Sequence, residues 1–154
     1  MGAANQSPEQ QLRAFVAKFT PGHQRVIRAA RRRLRRRFPT ATELVYDNYN
    51  FFVIGYSSTG RPSDALVSIA AAANGVGVCF IYGAKLADPH RLLQGSGKQT
   101  RFLRLEDGAE LEDARVLALL AAADRQAKVP MPADGKGQLI IKSISAKQRP
   151  RRKT

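Results

Sequence analysis

The chain reads as an α+β domain because its hydrophobic period changes twice along its length: helical at the start, strand-like through the middle, then helical again near the end. The expected architecture is an antiparallel sheet of about five to six strands, with two long N-terminal helices and one C-terminal helix. A length of 154 residues, 44% of them hydrophobic, suits one domain over residues 1–146, followed by a flexible basic tail over 147–154.

The first helix starts where Ser7-Pro8-Glu9-Gln10 supplies an N-cap serine, proline at the first helical position and a capping-box glutamine. Leu12, Phe15, Val16 and Phe19 follow at helical spacing. Thr20-Pro21-Gly22 repeats the start signal, and Val26, Ile27, Ala30, Leu34 and Phe38 form the apolar face of a second helix that Pro39 ends. Four strands are expected next, from Glu43 to Asp47, Asn50 to Tyr56, Ala65 to Ala72 and Val76 to Tyr82. Asn74-Gly75 is a two-residue hairpin signal in which both central positions take positive φ. Asp88-Pro89 opens a short helical turn through Leu93, and Gly95 and Gly97 lead into a strand from Arg101 to Leu105. A third helix runs from Glu110 to Gln126, with Leu111, Leu117, Leu120 and Ala121 as its buried stripe and Glu110, Glu112 and Asp113 at its positive end. Lys128 to Gly137 is a loop, Leu139 to Ile144 a last strand, and the closing SAKQRPRRKT lacks the apolar content to pack.

The formal charge of +14 is concentrated in two places. Eight arginines and no acid lie between Arg25 and Arg37, five basic residues and no acid between Lys147 and Thr154, and the remainder of the chain carries only +1. On the second helix, Arg25, Arg28, Arg32, Arg35 and Arg36 oppose the apolar stripe, while Arg33 and Arg37 stand at its edge, where their stems cover the core boundary. A nucleic-acid role would use Arg28, Arg32, Arg35, Arg36, Arg149, Arg151 and Arg152. Neither basic segment has aromatic residues interleaved with its cations, so base stacking is not indicated by the sequence.

Gly95-Ser96-Gly97-Lys98 resembles a phosphate loop but occurs in the wrong order, after a short helix and before a strand, so it reads as a tight connection. Tyr46-Asp47-Asn48-Tyr49-Asn50 gathers rings and amides at a strand junction. Tyr46, Asn48, Tyr49, Asn50, Lys98, Gln99 and Arg101 are therefore the candidate ligand-binding residues, for an anionic small molecule or an acidic partner. His23 and His90 stand apart from each other and from other metal ligands, and the acids sit at helix starts, so no catalytic set and no metal site is expected. Cys79, the one cysteine, lies in an apolar strand and reads as a buried thiol. The N-terminus lacks a secretory pattern, its Asn5-Gln6-Ser7 sequon is read as irrelevant, and Gly2 lacks the myristoylation pattern. With no window long enough to span a bilayer, a soluble cytoplasmic monomer or weak homodimer is expected.

Tyr82-Gly83-Ala84, Leu86-Ala87-Asp88-Pro89, the loop from Leu92 to Gln99 and the strand from Arg101 to Leu105 together resemble the YdhG-like domain family, a domain of unknown function. Tyr46 to Asn50 and Ile141 to Gln148 are similar to one bacterial branch of it. The resemblance covers roughly Leu12 to Lys147 and implies a two-layer α+β sandwich similar to the frataxin fold, with helices on one sheet face. Some members of the family are linked to iron delivery for iron–sulfur assembly, so iron is the one cofactor the resemblance brings. That role uses acidic surface, whereas the second helix here is lined with arginine.

Overall fold

The structure, a computed structural model, describes residues 6–153. Gly2, Asn5 of the sequon and Thr154 of the basic tail lie outside the described residues. Among the described residues the fold is α+β, with three α-helices and a six-stranded mixed sheet.

Helix α1 (Pro8–Val16) starts as its sequence dictates, with both halves of the Ser7/Gln10 capping box formed. Helix α2 (Pro21–Arg37) is capped by Thr20, whose hydroxyl accepts from the His23 N–H, and it buries Val26, Ile27, Ala30 and Leu34. Strands β1 (Thr42–Asp47), β2 (Phe52–Ser57), β3 (Ala65–Ala72), β4 (Gly75–Phe80) and β5 (Arg101–Leu105) form an antiparallel meander. Helix α3 (Ala114–Arg125) then carries the chain back across the sheet, and β6 (Leu139–Ile144) adds beside β1. The strand order is β5-β4-β3-β2-β1-β6.

Five sequence expectations are corrected. The sheet is mixed, because β6 runs parallel to β1. A parallel partner needs a crossover of a dozen or more residues, and α3 with its following loop supplies one. Gly137 makes that return possible, since a side chain there would collide with the Ala41 carbonyl. Within the β3–β4 hairpin Ala72 pairs with Gly75, so Ala73 and Asn74 are central; neither takes positive φ, which falls on Gly75 at 143°. Asp88 to Leu93 is a turn and not a helix: Arg91 adopts φ 53°, and the Asp88 carboxylate accepts from the N–H groups of Leu92 and Leu93. Finally, Ala109–Glu112 is a separate 3₁₀ turn, and α3 starts afresh at Asp113, whose extended backbone resets the helical phase. The buried stripe is consequently Val116, Leu119, Leu120 and Ala123, with Leu117 exposed and Ala121 only partly covered.

The core lies between the three helices and one face of the sheet. Phe15 and Phe19 tilt against Phe52 with ring centroids 6.3 and 6.0 Å apart, and Ile27, Leu34, Val45, Ile54, Val67, Ile69, Val78 and Leu120 fill the remainder. Along β1 the period-two alternation that buries Val45 also points Glu43 and Asp47 inward. Both carboxylates are met by a guanidinium.

At the Glu43 end that partner is Arg31 of α2. Its Nε and Nη2 donate to the two Glu43 oxygens, each at 3.0 Å, and its Nη1 and Nη2 donate to Glu9 at 2.8 and 2.9 Å. The Tyr56 hydroxyl completes the group, donating to Glu43 at 2.9 Å. Burial disfavours the Arg31 charge, but its bonds to Glu9 and Glu43 outweigh this and raise its pKa further. The Arg31 hydrogen bond holds Glu9 below its ordinary range, and burial beside the Glu43 charge holds the Tyr56 phenol well above its own. One side chain thus ties α1, α2 and β1 together.

Replacing Arg31 by Met leaves Glu43 buried without its hydrogen-bonded cation, with only Arg35 at 3.8 Å, and the expected loss of stability is about 3–5 kcal/mol in urea denaturation. Glu9→Gln, at the exposed end of the same network, is expected to cost under about 1 kcal/mol. Equal costs for the two would show that Glu43 does not depend on Arg31.

Candidate nucleic-acid interface

Three clusters bear on function: the exposed face of α2, the turn joining β1 to β2 with the C-terminal segment packed on it, and the glycine loop before β5. Tyr46, Asn48, Tyr49 and Asn50 do come together, lining with Phe51, Val53 and Ser145 an open depression of about 430 Å³ at the β1–β2 turn. Lys98, Gln99 and Arg101 are not part of it. Arg101 pairs with Phe80, in a row that runs through Val67 and Tyr56 to Glu43, the opposite end of β1 from Asp47. From strand spacings the two groups stand about 19 Å apart across the sheet and about 13 Å along it. One ligand-sized site cannot hold both.

The glycine loop is closed on itself. Arg101 Nη1 donates to the carbonyls of Gly97 (2.6 Å) and Thr100 (3.0 Å), and the Gln99 carbonyl accepts from the Ala84 N–H at 2.9 Å. Arg101 is therefore a staple of the connection, while Lys98 projects from an exposed position.

The C-terminal segment was expected to be mobile, yet from Ser145 to Arg152 it is held on the β1–β2 turn and the end of α1. Asp47, fully buried, is the anchor: Arg151 Nη2 donates to Oδ1 at 2.9 Å and Lys18 Nζ to Oδ2 at 2.6 Å. Arg151 also donates to the Asn48 carbonyl, and Gln148 to the Asp47 carbonyl, while Lys18 Nζ reaches Gln148 Oε1. Backbone N–H groups of Ser145 and Arg149 donate to the carbonyls of Asp47 and Tyr49, and Ser143 Oγ donates to Asn48 Oδ1. Arg152 Nε reaches the Lys18 carbonyl at 3.1 Å. Arg151, 4% exposed, is thus removed from the set of cations available to phosphates, and Arg149 and Arg152 remain exposed. Composition pointed to a solvated tail because a run of cations without apolar residues has nothing to bury; what it finds instead is a buried carboxylate.

On α2, Arg25, Arg28, Arg32, Arg35 and Arg36 are all exposed. Among the described residues, Arg25, Arg28 and Arg32 have no carboxylate within 4.0 Å, and Arg35 and Arg36 reach one only at 3.8 and 3.9 Å. The edge residues behave differently: Arg33 meets Glu112 at 3.2 Å and Arg37 meets Asp124 at 3.3 Å, so these two brace α2 against the third helical region. Arg25, Arg28 and Arg32 line, with Glu106 and Asp107, a groove of about 640 Å³, and the free cations flank two more. One, between α1 and α2, is lined by Arg13, Arg28, Arg31 and Arg35; the other, of about 600 Å³, brings Lys136 beside Arg32, Arg35 and Arg36. Its acids Glu9 and Glu43 are already committed to Arg31, so the outward field is positive.

Sequence reasoning missed Arg31 and Asp47. The signal lay in the alternation of Glu43, Val45 and Asp47: if Val45 is core, both acids are core-facing and each requires a cation. Cys79 is partly covered, and burial raises its thiol pKa against a weaker hydrogen-bond effect of Ser68, so it is not an activated nucleophile. Among the described residues no three His, Cys, Asp or Glu side chains group as a metal site, and no helix is long and apolar enough to cross a membrane.

Removal of residues 149–154 takes away Arg151 and leaves Asp47 with Lys18 alone. The shortened chain is expected to lose about 3 kcal/mol in urea denaturation, with Arg151→Ala reproducing most of it; a loss within about 0.5 kcal/mol would make the segment a passive one. In comparisons with known proteins the chain matches no family model, no curated protein and no solved structure.

Proposed function

We propose that the protein is a non-catalytic binding protein whose ligand is a nucleic acid, held through its phosphates by the exposed arginines of α2. The observation that carries this reading is the row of Arg25, Arg28, Arg32, Arg35 and Arg36, all exposed and, among the described residues, none closer than 3.8 Å to a carboxylate, beside a groove that adds Lys136. Arginine presents a planar fork that matches phosphate oxygens, and a helix holds successive forks about 4.5–6 Å apart along one face. The buried anchor of Arg31 supports the row by fixing α2 against α1 and the sheet. The resemblance to the YdhG-like family and its frataxin-like sandwich is part of the same proposal; the single core shared by the helices and one sheet face supports it, and the parallel β6 departs from it. The iron-carrier expectation has no group of three ligands to rest on among the described residues.

Fluorescence anisotropy with a labelled 20-mer oligonucleotide is the direct test. Affinity is expected to fall steeply between 50 and 200 mM salt, and the triple variant Arg32→Ala/Arg35→Ala/Arg36→Ala to reduce the log–log salt slope by about 2 to 3. A salt-independent affinity, or equal competition by polyglutamate, would overturn the reading in favour of another mode or an acidic protein.

A second reading keeps the anionic small molecule but moves it. A cavity of about 160 Å³ lies at the C-terminal end of α3, lined by Leu66, Ala123, Ala127 and Val129 and by Lys85, Lys128 and Asp64, whose carboxylate is already paired with Arg61. Lys85 belongs to the turn that bonds the Gln99 carbonyl, so the cavity adjoins the glycine loop. A cavity of about 150 Å³ accepts benzene, and two lysines favour a carboxylate on such a ring. NMR titration with benzoate is expected to shift Leu66, Ala123 and Lys85, and Lys85→Ala/Lys128→Ala to weaken binding about tenfold; unshifted spectra at millimolar benzoate would remove this reading.

A further inference from the structure

We propose that the depression at the β1–β2 turn selects single-stranded nucleic acid, stacking bases on Tyr49 and Phe51 while Arg149 and Arg152 hold the adjoining phosphates. This rests on the proposed nucleic-acid function and names its substrate class. Folding creates an arrangement that neither segment has alone: the aromatic residues come from the turn and the cations from the C-terminal segment, about a hundred residues later in the chain.

Tyr49 and Phe51 are 48% and 49% exposed, two large rings left half in water within one depression, although burying such rings is ordinarily favourable by about 1.5–3 kcal/mol each. Their neighbours suit bases. Asn50 is exposed beside them, with an amide able to pair with a base edge, and Arg149 lies over the Tyr49 ring with its guanidinium carbon 5.6 Å from the centroid. An aromatic platform flanked by arginine is the pattern of sequence-tolerant single-strand binding, because every base offers a π-face once it is unpaired.

The platform is also held in place. The Arg149 N–H donates to the Tyr49 carbonyl, and two residues on, Arg151 is buried against Asp47 and the Asn48 carbonyl, so cation and ring are fixed at both ends of a short segment. Arg152 bonds the carbonyl of Lys18, two residues before the Thr20 cap of α2, so this one cation stands near the N-terminal end of the helix that carries the arginine row. A duplex keeps its bases stacked inside and presents nothing for these rings to hold.

The test compares a labelled 20-mer of deoxythymidine with a duplex of equal length, at low salt, on the full chain and on Tyr49→Ala, Phe51→Ala and Phe51→Trp. The single strand is expected to bind more tightly than the duplex, and each alanine variant to weaken single-strand binding about tenfold while leaving duplex binding within twofold. The chain has no tryptophan, so Phe51→Trp supplies a lone emitter whose fluorescence is expected to be quenched by the single strand and not by the duplex. Because both rings are exposed, circular dichroism of each variant should match the parent. Equal binding of both nucleic acids, with the alanine variants within twofold and no quenching, overturns the inference and leaves the α2 reading standing. Absence of binding to either at low salt overturns both.

Discussion

Strand β1 puts two carboxylates on the face that packs against the helices, and the rest of the molecule is arranged around neutralising them. A carboxylate without a partner in that layer would cost several kcal/mol, more than half of the net stability of a small domain in many cases. Glu43 is met from α2 and Asp47 from the last residues of the chain. The two solutions differ in kind. Arg31 shares itself between Glu43 and Glu9 and so locks two helices to the sheet, whereas Arg151 brings in a segment that would have no apolar reason to pack.

This division explains why a chain with eight arginines on one helix carries so much unspent charge. One of the eight, Arg31, is consumed by buried Glu43 and partly exposed Glu9, and Arg33 and Arg37 are tied to Glu112 and Asp124. The remaining five point away from the core along a face that neighbouring elements do not cover. Like charges so close repel one another, a cost the fold tolerates at the surface because water and salt screen it. Removing that repulsion would be one source of favourable energy in the proposed binding of a polyanion.

Local chemistry in the sequence identifies most of the elements. The Ser7/Gln10 capping box, the Thr20 cap, the meander strands and the strand Arg101–Leu105 depend on contacts within a few residues or on a repeating apolar pattern. What lies beyond this view is long-range. Nothing near Leu139 states that it will pair with Glu43 in parallel, and Asp113 shifts the phase of α3 by one extended residue that periodicity alone does not weigh. The candidate site follows the same rule. Tyr46 to Asn50 cluster because they are neighbours in sequence, Lys98 and Arg101 fall at the far corner of the sheet, and Arg149 reaches Tyr49 only through the docking of Arg151. The acids Glu43 and Asp47 were readable as inward-facing, but their partners were not.

The pairing of β1 with β6 has a consequence for synthesis. About ninety residues separate the two strands, so during translation the outer edge of β1 stays unpaired, and Asp47 without its arginine, until β6 and Arg151 have emerged. Pairings this distant in sequence form late, since closing a long loop costs entropy before any contact repays it. Until then the nascent domain presents an open strand edge, the surface most prone to join another chain. Arrival of β6 and of the segment that carries Arg151 closes that edge and neutralises the buried acid together, so that one late stretch of chain commits the domain to its folded state.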